Sequence, residues 1–120
     1  DRRTAIAATY DKLLSKDPLV LPVARPGTRH AFHQYVIRSP RRDELRDRLR
    51  GHDVETAVHY SLAVHQHPAF RNSSAESENL VETERAVAEV LSLPTYSQLD
   101  LVEAKSLARL VNRMAAKPPI

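Results

Sequence analysis

Apolar residues recur along this chain with two periods, and the two alternate. In residues 4–15, Ile6, Tyr10, Leu13 and Leu14 fall at helical spacing, which predicts an amphipathic helix. Asp17-Pro18 closes it, because proline disfavours helix at the residue before it. Residues 19–23 are a short apolar run expected to be extended, and Arg25-Pro26-Gly27-Thr28 reads as a turn. Residues 31–38 then alternate as a strand does, with Phe32, Gln34, Val36 and Arg38 on one face and His33, Tyr35 and Ile37 on the other. The β-branched pair Val36-Ile37 favours the same conformation. Ser39 and Pro40 are the candidate N-cap and first residue of a second helix. That helix carries Leu45 and Leu49 four residues apart, runs to about residue 50 and stops at Gly51.

The second half repeats the alternation. Residues 54–60 predict another strand, with Val54, Thr56, Val58 and Tyr60 sharing a face. Residues 61–71 show no period and read as a loop carrying His65, His67, Pro68 and Phe70. Residues 72–78 are small and polar, a surface segment expected to be mobile. A third helix over about 79–89 is marked by Leu80, Glu84 and Val87. A short extended run over 90–93 follows and ends at Pro94. Ser97 and Asp100 match a capping box for a last helix that reaches about residue 115, with Leu101, Ala104, Leu107, Ala108 and Val111 on one face. Pro118-Pro119 closes the chain. Mixed elements with short connections predict an α+β fold: a small antiparallel or mixed sheet of about three to four strands covered by helices. Its 120 residues make one domain by size, and no internal repeat is visible.

Composition adds exclusions. With 42% hydrophobic residues the chain can bury a core, and with only 5% aromatics and no Trp that core is aliphatic. No cysteine is present, which removes disulfides, thiolate metal sites and Cys nucleophiles together. A cysteine-free chain suits a reducing compartment, and a cytoplasmic location is the expectation. No run approaches the ~18 apolar residues of a membrane span. The net charge of +3 rests mostly on arginine. On the second helix, Arg41, Arg42, Arg46, Arg48 and Arg50 are interleaved with Asp43, Glu44 and Asp47. Those acids cancel much of the field an anion would feel, so a solvated face is expected and no nucleic-acid partner. With only Gly27 and Gly51, no glycine-rich phosphate loop exists.

The unusual feature is histidine. All six (His30, His33, His52, His59, His65 and His67) fall within one stretch of the chain. A zinc site could draw on His59, His65 and His67, but H-x-H on a loop is a loose pattern without a supporting carboxylate, so no metal ligand is assigned. Acid–base work is open to any histidine by its pKa, yet neither a G-x-S-x-G turn nor a cysteine supplies a nucleophile. A third reading is polar recognition: His59-Tyr60 at a strand end and His65 on the following loop would gather donors and acceptors suited to a hydroxyl-rich ligand. Taken singly, each histidine reads first as a satisfied surface or half-buried residue.

Read together, several segments resemble one family. HAFHQYVIR at 30–38 is similar to the H-x-Y-H-x-Y-V-I-R strand of DegT/StrS-type sugar aminotransferases. Arg42-Asp43-Glu44-Leu45, Leu49 and VETAVHY at 54–60 resemble the segment that follows it. VHQHPAF at 64–70 is similar to that family's L-H-x-Q-P-A-Y, and AEVLSLP at 88–94 to its E-V-L-S-L-P. The opening, from Arg2-Arg3 to Tyr10, resembles the helix that links the two domains of such enzymes. Departures are Ser61 where proline is usual, His52-Asp53-Val54 near the strand start, and Val81 where proline is frequent.

The resemblance implies the C-terminal small domain of a fold type I, pyridoxal-phosphate (PLP) enzyme that aminates nucleotide-linked keto sugars with glutamate as donor. It implies a homodimer and a large N-terminal domain holding the Schiff-base lysine, with residues 1–16 as the link. None of Lys12, Lys16, Lys105 and Lys117 sits in that lysine's context, so no cofactor residue and no catalytic residue is expected here. Together with a first residue, Asp1, that is not Met, this makes a fragment inactive by itself the expectation. His59, Tyr60 and His65, with His33 as a fourth, are the residues implied to approach substrate. The alternative is a stand-alone α+β module that binds a ligand or partner without PLP. Exposed apolar surface and self-association are expected of the isolated domain.

Overall fold

The computed structural model describes residues 1–73 and 79–116; the greater part of the polar segment 72–78 and the Pro118-Pro119 ending lie outside them. Helix α1 spans Arg2–Leu13, with Asp1 as N-cap: its Oδ1 accepts from the Arg3 amide at 3.1 Å. Strand β1 is Tyr35–Arg38 and helix α2 is Arg42–Arg50. Two short 3-10 helices follow, Val64–Gln66 and Pro68–Phe70. Helix α3, Val81–Glu89, runs directly into strand β2, Val90–Leu93. Helix α4, Leu101–Ala115, completes the order.

The α+β class holds, and the sheet is smaller than its pattern predicted. β1 and β2 pair antiparallel, Tyr35 opposite Leu93 and Arg38 opposite Val90. Each outer edge gains a single bridge, Val20 to Arg38 on one side and Ala57 to Ser92 on the other. Four extended segments thus lie side by side, but only two are strands.

The predicted strand over 54–60 reduces to that bridge at Ala57, and the reason is local. In its register the next hydrogen-bonded pairs would be Glu55 with Pro94 and His59 with Val90. Proline has no N–H to give. The Val90 amide is already spent on the Ala86 carbonyl at the end of α3, and the Val90 carbonyl accepts from Arg42 Nη1 at 2.9 Å. The predicted strand over 31–38 shortens to Tyr35–Arg38 for a different reason. Phe32 sits at φ 49, outside extended backbone, so the chain turns away before the strand begins. Arg3 Nη1 takes the Phe32 and His33 carbonyls instead, at 3.3 and 2.7 Å.

Cap positions shift as well. Ser39 and Pro40 precede α2 in a turn, and Arg41 is the N-cap; Ser39 Oγ accepts from the Arg41 amide at 3.2 Å. At α4 the cap is Asp100, whose Oδ1 accepts from Val102 at 2.6 Å. Ser97 does not join a reciprocal box, because its hydroxyl turns to the Gln98 side chain.

One core forms where the sheet meets the helices. Tyr35 and Ile37 of β1 and Leu91 and Leu93 of β2 share a sheet face and are buried. Against them pack Ile6 and Tyr10 of α1, Leu45 and Leu49 of α2, and Ala104, Ala108 and Val111 of α4. Small residues on α4 let α1 approach closely. Asn112 then clamps the C-terminus of α1, donating to the Leu13 carbonyl and accepting from the Ser15 amide, both at 2.8 Å. The opposite sheet face carries Val36 and Ser92, and this is the face that bears on function.

Candidate functional site

The sheet register decides which polar side chains meet. Gln34 precedes β1 and has the parity of Val36. Ser92 lies opposite both Val36 and Ala57, and His59 has the parity of Ala57. All three therefore project from the face away from the core. Their side chains converge there: the Gln34 amide nitrogen and Ser92 Oγ each lie 2.9 Å from His59 Nδ1. A cleft of about 290 Å³ opens beside them, lined also by His33, Glu55, Thr56 and Pro94.

The expected residues divide. His33 and His59 line the cleft. Tyr60 is 73% exposed, with its ring edge-on to His59 at 5.4 Å, and is not among the lining residues. His65 lies elsewhere. It is 6% exposed, and its Nε2 meets Glu84 Oε1 at 2.9 Å, tying the first 3-10 helix to α3. Gln34, Glu55, Thr56 and Ser92 complete the cleft without having been singled out. Ser92 had a signal, a polar residue inside the apolar run Val90–Leu93.

The remaining histidines do separate local work. His30 Nδ1 accepts from the Phe32 amide at 2.8 Å, and its ring stacks on Phe32. His67 Nδ1 accepts from Ala69 at 3.2 Å, capping the second 3-10 helix. His52 is exposed beyond α2. Among the described residues, no three His, Asp or Glu side chains are grouped to hold a metal ion.

The cleft's chemistry is neutral and polar, with one carboxylate, Glu55. No lysine and no arginine lines it. A Schiff-base cofactor needs a lysine at the site, whereas Lys12, Lys16 and Lys105 are all exposed on the outer surface. The cleft residues therefore do not fit PLP, and no step is derived through it. They do fit hydroxyl or carbonyl oxygens, which take hydrogen bonds from neutral donors. A larger hollow of about 930 Å³ runs along α4, bordered by Tyr96, Leu99, Val102, Leu107 and Leu110. It holds none of the expected residues, so chemistry and not size selects the smaller cleft.

Comparison with known proteins supplies the context. Residues 1–112 match the DegT/DnrJ/EryC1/StrS aminotransferase family. A pleiotropic regulatory protein of Geobacillus stearothermophilus is 40% identical over 102 residues, 82% of this chain and 27% of that protein. The dTDP-3-amino-3,4,6-trideoxy-alpha-D-glucose transaminase of Streptomyces venezuelae is 34% identical over 117 residues, 97% of this chain and 31% of its own length. Among solved structures, S. venezuelae DesV in complex with a ketimine intermediate superposes with a TM-score of 0.84 at 34% identity, covering 98% of this chain and 32% of that one. An aminotransferase from Brucella abortus gives 0.82 at 25% identity, over 97% of this chain and 31% of its own. This chain spans about a third or less of each of these relatives. No helix among the described residues is long and apolar enough to cross a membrane. A match over nearly the whole chain, carried by the same small sheet and helices, makes this chain a member of the DegT/DnrJ/EryC1/StrS aminotransferase family.

Proposed function

We propose that this chain is the C-terminal small domain of a PLP-dependent aminotransferase that converts nucleotide-linked keto sugars to amino sugars, with glutamate as donor. The observation that carries the reading is the likeness to DesV: nearly all of this chain against about a third of that enzyme. A large N-terminal domain would hold the cofactor and its lysine, with α1 leading from it and a homodimer completing the site. The cleft is the substrate side of that site. His59 and His33 contact sugar oxygens, Tyr60 lies at the mouth, and His65 acts by holding the neighbouring loop through Glu84. Without a lysine at the cleft, the 120 residues alone do not transaminate.

The test expresses the full reading frame containing this chain, and in parallel the 120 residues alone, each with PLP, glutamate and keto-sugar nucleotides. The expected result is amino-sugar product from the former and none from the latter. In the active protein, His59→Ala is expected to lower kcat/KM about tenfold, the loss of one substrate hydrogen bond. A full-frame product that neither binds PLP nor aminates any keto sugar would overturn the reading. It would favour instead a ligand- or partner-binding module without PLP, a reading supported by the regulatory name of the Geobacillus relative.

A further inference from the structure

His59 is the cleft residue with the most constrained ring. Its Nδ1 receives two neighbours at 2.9 Å, the Gln34 amide nitrogen and Ser92 Oγ. An amide NH2 can only donate, so Nδ1 must accept, and the ring's single proton in the neutral form then lies on Nε2. Ser92 agrees with this, since a hydroxyl can turn its proton toward the same lone pair. Nε2 has no hydrogen-bond partner among the described residues, and it is not sealed from solvent.

We infer that Gln34 and Ser92 are positioning residues: they lock His59 in the Nε2–H tautomer, so that the ring offers the cleft a donor for a neutral, oxygen-bearing group such as a sugar hydroxyl or carbonyl. This rests on the reading of the cleft as the substrate side. The reverse tautomer would present a lone pair and select a donor instead, so Gln34 sets which partner His59 accepts although it need not touch that partner. The sheet makes the arrangement stiff. Ser92 is fixed in β2 by exchange of both backbone bonds with Ala57, at 2.7 and 3.2 Å, and Gln34 is held at the start of β1. The cleft's lack of lysine and arginine fits a neutral ligand group better than a phosphate.

Nitrogen-15 NMR of the His59 ring in this chain tests the inference directly. The spectrum is recorded near pH 9, where an imidazole of ordinary pKa is neutral. The wild-type ring is expected to show a dominant Nε2–H signature. Gln34→Leu combined with Ser92→Ala removes both donors and is expected to shift the tautomer ratio about tenfold toward the mixture of a free imidazole. Gln34→Glu places an acceptor against Nδ1 and is expected to invert the preference to Nδ1–H. A merely structural role for Gln34 would leave the ring's signature unmoved in both variants. A dominant Nδ1–H form in the wild type, or no response to Gln34→Glu in a chain whose amide spectrum stays folded, overturns the inference. The readout needs no turnover. Loss of the aminotransferase reading would leave the tautomer result standing, and an inverted tautomer would sink the inference while leaving transamination intact.

Discussion

Two buried phenols and one carboxylate tie the stability of the fold to pH. The Tyr10 hydroxyl donates to the Pro94 carbonyl and the Tyr35 hydroxyl to Asp11 Oδ1, each at 2.6 Å. Burial, together with the nearby Asp11 carboxylate for Tyr35, pushes both phenols well above their usual range. In the unfolded chain they ionise near pH 10. Above that pH the unfolded state holds fewer protons than the folded one, so stability is complete below about pH 10 and falls as pH rises. Tyr10→Phe is expected to make the decline measurably shallower in urea titrations between about pH 10 and 11, while costing about 1 kcal/mol at neutral pH for the lost hydrogen bond. Glu89 works at the other end of the scale. Desolvation pushes its carboxyl up, but the hydrogen bonds of Arg85 and Arg38 outweigh that and hold it below its ordinary value. Its contribution is present above the usual carboxylate range and is lost as pH falls through the lowered value. Glu89→Gln is expected to flatten the acid limb of the stability profile.

At the scale of elements, the fold depends on side chains that satisfy the ends of helices and strands. Arg42 is buried on α2, and its Nη1 reaches the carbonyls of Val87 and Val90 at 3.2 and 2.9 Å, where α3 becomes β2. Those acceptors have no ladder partner to replace it. Arg42→Ala is therefore expected to cost about 2 kcal/mol, read as a lower urea midpoint, whereas exposed Arg50→Ala should stay within about 0.5 kcal/mol. The α1–α4 packing is a larger contribution. Ile6 is fully buried between them, and Ile6→Ala is expected to cost about 2–5 kcal/mol, according to how far the site collapses.

At the scale of the whole molecule, several apolar side chains among the described residues are left uncovered. Val20, Val23, Tyr60, Val64, Val81 and Val102 are all more than half exposed, Val23 at 89%. Exposed apolar residues in such number favour association, either with further polypeptide or with other copies. The 120-residue chain is expected to bind an apolar dye such as ANS and to show a concentration-dependent sedimentation coefficient. A strictly monomeric, dye-free chain at high concentration would argue against a covered surface in the full protein.

What was legible in the sequence follows from local physics. Helical spacing placed α1, α2 and α4 within a few residues, because each has an apolar stripe long enough to set a period. Strand alternation set Tyr35 and Ile37 on one face and Gln34 on the other, because neighbouring side chains on a strand must point oppositely; which face is the core came from the packing. The family resemblance drew on the same segments and singled out His59, Tyr60, His65 and His33, of which His33 and His59 line the cleft. Tertiary structure alone decided the rest. Pairing is a property of two segments, so nothing within 54–60 could reveal that its partner was blocked at both ends, by Pro94 and by the committed amide of Val90. Nor could the order of residues show that Gln34 and Ser92 would meet at one nitrogen of His59 while Glu84 drew His65 away, since those contacts span 25, 33 and 19 positions of chain.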